Sequence, residues 1–215
     1  METSRRRIIV AITGASGAIY GIRSLEALRS LNIETHLVLS PAARVTIHQE
    51  TDHKVSEVEA LASVVHAPQD IGASIASGSF ITQGMLIAPC SVKTLSAVAN
   101  SYADDLIGRA ADVCLKEGRP LLLMVRETPL HRGHLRLLDL AARAGAIIFP
   151  PLPSFYDHPQ SLDDMVQATV GRALQRLGID NDAYRTWQGL CLDRRPALPS
   201  PTAPLCWRCW RRPRH

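Results

Sequence analysis

No apolar run in this 215-residue sequence is long enough to cross a membrane. Stretches such as residues 8–12 and 121–125 hold five apolar residues, against the ~18 or more of a spanning helix. A secretory leader is not expected either. Arg5, Arg6 and Arg7 precede an apolar stretch, but Thr13 and Gly14 break it and no small-residue cleavage site follows. A cytoplasmic protein without a membrane span is expected. Lysine is scarce: Lys54, Lys93 and Lys116 stand against 21 arginines. The net charge of +4 does not describe a basic protein. Six arginines and a single acid, Asp193, lie in residues 191–215, and the rest of the chain sums to −1. A nucleic-acid partner therefore loses its electrostatic footing. Five cysteines, an odd number, argue for free thiols. Cys206 and Cys209 form a C-x-x-C with only Cys191 and His215 nearby, and His131 and His134 lack carboxylate partners, so no metal site is expected. No internal repeat is visible.

Hydrophobic residues make up 46% and charged residues 20%, as in an ordinary globular protein. Short continuous apolar runs at 8–13, 35–39, 63–66, 85–89, 121–125 and 146–149 read as strands, the fourth ended by Pro89. Helical patterns fill 18–31, 41–50, 55–62, 92–100, 105–117, 133–144 and 161–177. The first should bury Ile19, Ile22, Leu25, Leu28 and Leu31. The last should turn Leu162, Met165, Val166, Val170, Ala173, Leu174 and Leu177 inward. Apolar strands alternating with helices signal a mostly parallel sheet covered on both faces. The expected fold is α/β: a doubly wound, Rossmann-like or flavodoxin-like three-layer sandwich, with its ligand at the carboxyl ends of the strands. One domain spans 1–190. The segment 150–159 reads as an extended arm, and 191–215 as a disordered tail rich in proline and arginine.

Three loops carry candidate chemistry. Gly14, Ala15, Ser16 and Gly17, followed by Gly21, lie between the first strand and first helix, where backbone N–H groups and a helix dipole hold anions. The spacing G-x-x-G-x-x-x-G differs from the dinucleotide G-x-G-x-x-G, and a tight turn with close helix packing would also explain it, but its position between strand and helix favours anion binding. Ser91, Val92, Lys93 and Thr94 open a helix after the 85–89 strand, as phosphate donors or as ordinary caps. Arg126 and Glu127 end the 121–125 strand. An arginine there can bind phosphate through two N–H groups, or form a surface pair with Glu127 of little consequence. Lys116 ends a helix, where cations are common anyway. Asp104, Asp105, Asp163 and Asp164 sit at helix starts, where acids are expected.

In order along the chain, TGASGAIYG (13–21), ETD (50–52), ASGSF (76–80), PCSVKTL (89–95), RAADVCLKEGRPLLLMVRETPL (109–130) and PPLPSFYDHPQSLDDMV (150–166) resemble the flavin prenyltransferases of the UbiX type. The resemblance covers about residues 7–190. It implies an enzyme that joins a dimethylallyl group from dimethylallyl monophosphate to N5 and C6 of reduced FMN, without a metal. The prenylated FMN would serve a UbiD-type decarboxylase, in ubiquinone synthesis. The family's FMN contacts fall on Gly14, Ala15, Ser16, Gly17, Ser40, Ser91, Val92, Lys93, Thr94 and Arg126. Its prenyl-phosphate contacts fall on Arg109, Lys116, Arg126, Glu127, Tyr156 and Arg172. Ser16, Glu50, Lys116 and Glu127 are the implied catalytic residues, with Ser16 near flavin N5. Family members are dodecamers with a shared site, so a homo-oligomer is expected. The chain departs from the family beyond Trp187, where the arginine and cysteine tail has no counterpart.

Other readings remain. A decarboxylase of the FMN-dependent cysteine-decarboxylase kind would use a histidine base and a P-x-S-x-N-T loop, where this chain reads PCSVKT. A short-chain nicotinamide reductase would need Y-x-x-x-K; the four tyrosines are followed at that position by Ser24, Leu106, Gln160 and Gln188. A non-catalytic FMN carrier would keep the flavin loops without needing Glu50, Lys116, Glu127, Tyr156 and Arg172 together.

Overall fold

The computed structural model describes residues 6–156 and 158–184. Each apolar run expected as a strand forms one: β1 (Arg7–Ile12), β2 (Glu34–Leu39), β3 (Val64–His66), β4 (Met85–Cys90), β5 (Leu121–Val125) and β6 (Ile147–Ile148). They make a sheet in the order β3-β2-β1-β4-β5-β6. The sheet is wholly parallel, rather than mostly so. β4 does not stop at Pro89; Cys90 pairs with Val125 across an irregularity in the ladder.

The helices are α1 (Ala18–Ser30), α2 (Pro41–Glu50), α3 (Val55–Glu59), α4 (Val92–Ala99), α5 (Leu106–Lys116), α6 (Arg132–Arg143) and α7 (Leu162–Arg176). Strand side chains alternate between two cores, because successive residues point to opposite faces. Ile8, Val10 and Ile12 meet α1, α2 and α7 through residues such as Ile22, Leu25, Ile47 and Leu174. Ile9 and Ala11 belong to the other core, with Leu95, Ile107, Ala111 and Ala141 of α4, α5 and α6. Full burial of each large aliphatic side chain contributes roughly 1.5–3 kcal/mol.

Helix starts follow local chemistry. Ser40, Ser91, Asp105 and Ser161 each accept an N–H from the first turn of α2, α4, α5 and α7. Asp164 completes a capping box with Ser161, and the Gln160 N–H, the Ser161 hydroxyl and the Ser161 N–H hold its carboxyl below the usual range. His131 caps α6 by accepting the Gly133 N–H, so its role is structural. Two side chains expected inward are not. Leu162 is 81% exposed at the first position of α7, and Leu31, just past α1, is 39% exposed. At a helix end the apolar stripe has already passed the core. The patterned helix 55–62 ends early, at Glu59, and a short 3-10 turn at Ser74–Ala76 has no sequence signal.

The chain runs outward from β1 to β3, returns beside β1 as β4, and then runs to β6. The order reverses between β1 and β4, so the crevice at their carboxyl ends is the topological switch point where ligands of such sheets bind. Residues 191–215, including the expected tail and its three cysteines, lie outside the described residues, as does Trp187. Among the described residues no helix is long and apolar enough to cross a membrane.

Candidate active site

Loops 14–17 and 91–94 leave β1 and β4 side by side and are tied together. The Thr13 hydroxyl donates to the Pro89 carbonyl at 2.7 Å and accepts the Ser91 N–H at 2.8 Å. Gly14 lets loop 14–17 lie on α2: a Cβ there would stand 2.4 Å from that of Ala42. Gly17 caps α1 with φ 101°, a left-handed conformation suited to glycine. The N–H groups of Gly14, Ala15 and Ser16 donate to no atom of the described residues. Those of Val92 and Lys93 lie in the open first turn of α4, which has no preceding turn to bond to. This is a donor set for an anion at the switch point.

Gly17 has no side chain to cap α1, and a remote carboxylate does so instead. Glu50, the last residue of α2, accepts the Gly17 N–H at 2.7 Å and the Ala18 N–H at 3.3 Å on Oε2. Burial would raise its carboxyl pKa. The Gly17 N–H, the Ser16 hydroxyl, the Ala18 N–H and the Arg126 charge outweigh that and hold it below the ordinary carboxylate value. At neutral pH Glu50 is therefore an anion, able to accept a proton and not to supply one.

A cavity of about 470 Å³ opens here. It is lined by Gly14, Ala15, Ser16, Ser91, Val92, Val125, Arg126, Glu127, Thr128, Pro150, Pro151 and Leu152. That volume lies within the ~300–1,000 Å³ of ligand sites. The alternative reading, an Arg126–Glu127 surface pair, does not form among the described ion pairs; Glu127 accepts the Thr128 N–H instead. Arg126 is exposed at the cavity, and among the described residues no carboxylate pairs with it. A second cavity of about 540 Å³, lined by Arg29, Glu34, Ser63 and their neighbours, lies at the start of β2 and β3, away from these loops.

Of the residues expected to hold flavin, Gly14, Ala15, Ser16, Ser91, Val92 and Arg126 line the cavity together. Ser40 is occupied as the cap of α2. Thr94 shares a hydrogen bond with Ser91 at 3.1 Å, and Lys93 points to Asp104 at 4.0 Å. Capping side chains and open N–H groups thus coexist in these loops. The open N–H groups beside Arg126 fit the phosphate of FMN.

The expected prenyl-phosphate residues fall into separate groups. Arg126 and Glu127 line the cavity. Lys116 ends α5 just before β5 begins, so it stands at the amino edge of the sheet, roughly 15 Å from the carboxyl edge along a five-residue strand. There it pairs with Glu117 at 3.2 Å. Arg109 bonds to Asp112 and to the Ala76 carbonyl. Arg119, which sequence reasoning missed, holds the same 76–80 segment through the Gly78 and Phe80 carbonyls. Tyr156 and Arg172 form a third group, joined by another missed residue, Tyr184. None of Arg109, Lys116, Tyr156 and Arg172 lines the cavity of their own chain.

Two buried thiols take no part. Burial raises the pKa of Cys90, and that of Cys114 is pushed up to about 12, again chiefly by burial. Among the described residues no cluster of histidine, cysteine and carboxylate could hold a metal.

The family model described as Flavoprotein matches residues 1–172. The flavin prenyltransferase UbiX of Escherichia coli (strain K12) is 59% identical over 187 residues, covering 86% of this chain and 99% of that protein. The chain belongs to the UbiX flavin prenyltransferase family. Among solved members, AnUbiX (PadA1), in complex with FMN and dimethylallyl pyrophosphate, superposes with a TM-score of 0.85 at 51% identity. It covers 86% of this chain and 99% of that one. A dodecameric FMN-dependent UbiX-like decarboxylase from Escherichia coli O157:H7 gives 0.82 at 48% identity, covering 85% of this chain and all of that one. These solved UbiX relatives thus share the fold of this chain.

Proposed function

We propose that the chain joins a dimethylallyl group from dimethylallyl monophosphate to N5 and C6 of reduced FMN, releasing phosphate. The observation that carries this reading is the cavity at the β1/β4 switch point, where open backbone N–H groups and Arg126 stand together. Reduced FMN supplies the nucleophilic nitrogen and carbon. The protein's task is electrostatic. The prenyl C–O bond breaks as phosphate takes its electron pair, so cations must meet a growing negative charge in a site that excludes water. Arg126, Arg109, Lys116 and Arg172 are the cations proposed, with Tyr156 donating a hydrogen bond and Glu127 orienting the group. Loops 14–17 and 91–94, with Ser40, hold the flavin. Glu50, ionised and bonded near Ser16, is suited to accept the proton lost when the ring closes, directly or through released phosphate.

Lys116 lies a strand length from the cavity of its own chain, and Arg109, on the same helix, does not line that cavity, so we assign both to the cavity of another copy. A homo-oligomer, proposed as a dodecamer like the UbiX-like relative, brings these groups together. The product is proposed to pass to a UbiD-type decarboxylase in ubiquinone synthesis, in the cytoplasm. Residues 1–190 make this domain, and 191–215 are an appended tail. Anaerobic incubation with reduced FMN and dimethylallyl monophosphate tests the reading. The released flavin should be heavier than FMN by one prenyl unit. Unmodified flavin from a chain that binds it would favour a carrier or a decarboxylase.

A further inference from the structure

We propose that Arg119 is a positioning residue: by clamping the turn at 76–80 it fixes Lys116 and Arg109 for the phosphate of the prenyl donor. The proposal rests on the reading that those two cations serve the cavity of another copy. The segment ASGSF folds into a turn, in which the Phe80 N–H donates to the Ser77 carbonyl at 3.2 Å. The Arg119 guanidinium donates to the Phe80 carbonyl at 2.8 Å and also to the Gly78 carbonyl. Arg109 donates from Nε to the Ala76 carbonyl at 3.2 Å. Two guanidinium groups thus hold three carbonyls of one turn. Gly78 lies against Glu117, since a Cβ at Gly78 would overlap that carboxylate. Glu117 in turn pairs with Lys116 at 3.2 Å. Arg109 and Lys116 are therefore both set by the same turn, and Arg119 holds its middle and its end.

Arg119 is itself held in place. Gly118 closes α5 with φ 66°, in the left-handed region, and the Arg119 N–H donates back to the Cys114 carbonyl at 2.8 Å. The turn is anchored on its far side too. The Phe80 ring stands edge-on to His36, with centroids 5.0 Å apart, and the Arg7 guanidinium carbon lies 5.0 Å from the Phe80 centroid. Arg119 forms no ion pair with a carboxylate among the described residues. Its partners are carbonyls, which a planar guanidinium meets two at a time; a lysine ammonium is a point charge without that fork. Clamp and charge can therefore be separated by substitution.

Steady-state kinetics of the full chain, with the flavin mass as readout, test the proposal. R119M removes clamp and charge together; R119K keeps the charge and loses the fork. Both should raise the KM for dimethylallyl monophosphate about tenfold or more, the order for hydrogen bonds to a charged group, and leave FMN affinity unchanged. An original KM in either variant overturns the proposal; in R119K it would mean that charge alone suffices. Reassembly with R126A shows where Arg119 acts. The R126A chain brings an intact turn and Lys116, and the R119M chain an intact cavity, so about a quarter of the sites should recover the original KM. A mixture whose active sites all keep the raised KM would place the effect in the cavity of the same chain and overturn the proposal. If reassembled K116A and R126A make no prenylated flavin, the reading of a shared cavity fails first and takes the proposal with it. Should R119M fail to fold, R119K takes its place in the mixture.

Discussion

The Glu50 carboxylate caps a helix whose N-cap residue, Gly17, stands 33 residues before it, accepting the Gly17 N–H at 2.7 Å. One contact thereby links the loop proposed to hold the flavin, the α1 dipole and the proposed proton acceptor. A carboxylate at a helix N-terminus is stabilised as an anion, so structure and chemistry here depend on the same charge.

Neutralising that charge should reveal both roles. Its pKa is lowered in the folded chain, so its contribution to stability is present above the unfolded value of about 4.5 and is lost as pH falls through the lower folded value. E50Q should unfold at lower denaturant than the original chain at pH 7, and the gap should close towards pH 3. It should also slow prenylation, by about 10²-fold or more if Glu50 accepts the proton. An equal gap at both pH values, measured at fixed chain concentration, would refute the capping role.

Gly21 faces a second constraint. A Cβ there would lie 2.4 Å from the Ala88 carbonyl and 2.6 Å from Ile12, both in the buried sheet. G21A should destabilise the fold by about 1–3 kcal/mol through overpacking and should weaken FMN binding by displacing α1 from β4. Denaturant titration against the original chain measures this; unchanged stability would mean that α1 shifts freely.

A histidine pair gives a separate pH dependence. His36 shares a hydrogen bond with His66 at 2.9 Å and another with Glu34 at 3.1 Å, and Arg7 donates to the same Glu34 oxygen at 3.0 Å. Burial and the nearby His36 lower the His66 pKa, against the opposing charge of Asp70. The unfolded chain thus binds the proton more readily, and stability falls as pH drops below about 6.5, until the folded value is passed. H66Q should flatten the stability profile between pH 7 and 5. Identical slopes in the two proteins would contradict the assignment.

The thiols should be silent. With a pKa of about 12 for Cys114, the thiolate at pH 8 is on the order of one part in 10⁴, and Cys90 is just as fully buried. Peptide mapping after iodoacetamide should find both unlabelled in the folded chain and labelled in urea. Labelling of Cys90 in the folded chain would reopen a role for the PCSVKT cysteine.

The sheet was legible in sequence because buried parallel strands are short, continuous apolar runs such as IIVAI and LLLMV. The loops proposed to hold the flavin stand out in sequence because their glycines and serines follow those runs directly. Leu162 was misplaced because helical periodicity does not say where the helix outruns its core. Arg119 and Tyr184 were missed for a different reason. Each acts through one contact set by the path of the chain, to carbonyls of the 76–80 segment or to Tyr156 and Arg172, and neither lies in a periodic pattern. The position of Lys116 followed only from the parallel topology, which places the end of α5 at the amino edge.

The most direct test mixes two inactive forms. R126A lacks the cation in the cavity, and K116A lacks the one at the opposite edge of the sheet. Each alone should yield unmodified flavin from reduced FMN and dimethylallyl monophosphate. Dissociated, mixed and reassembled, they should make flavin heavier by one prenyl unit at roughly a quarter of the original rate, because a random mixture rebuilds that share of sites drawn from two copies. No prenylated flavin from the reassembled mixture, alongside an active original chain treated in the same way, would contradict the account of a flavin prenyltransferase whose site is completed by a second copy.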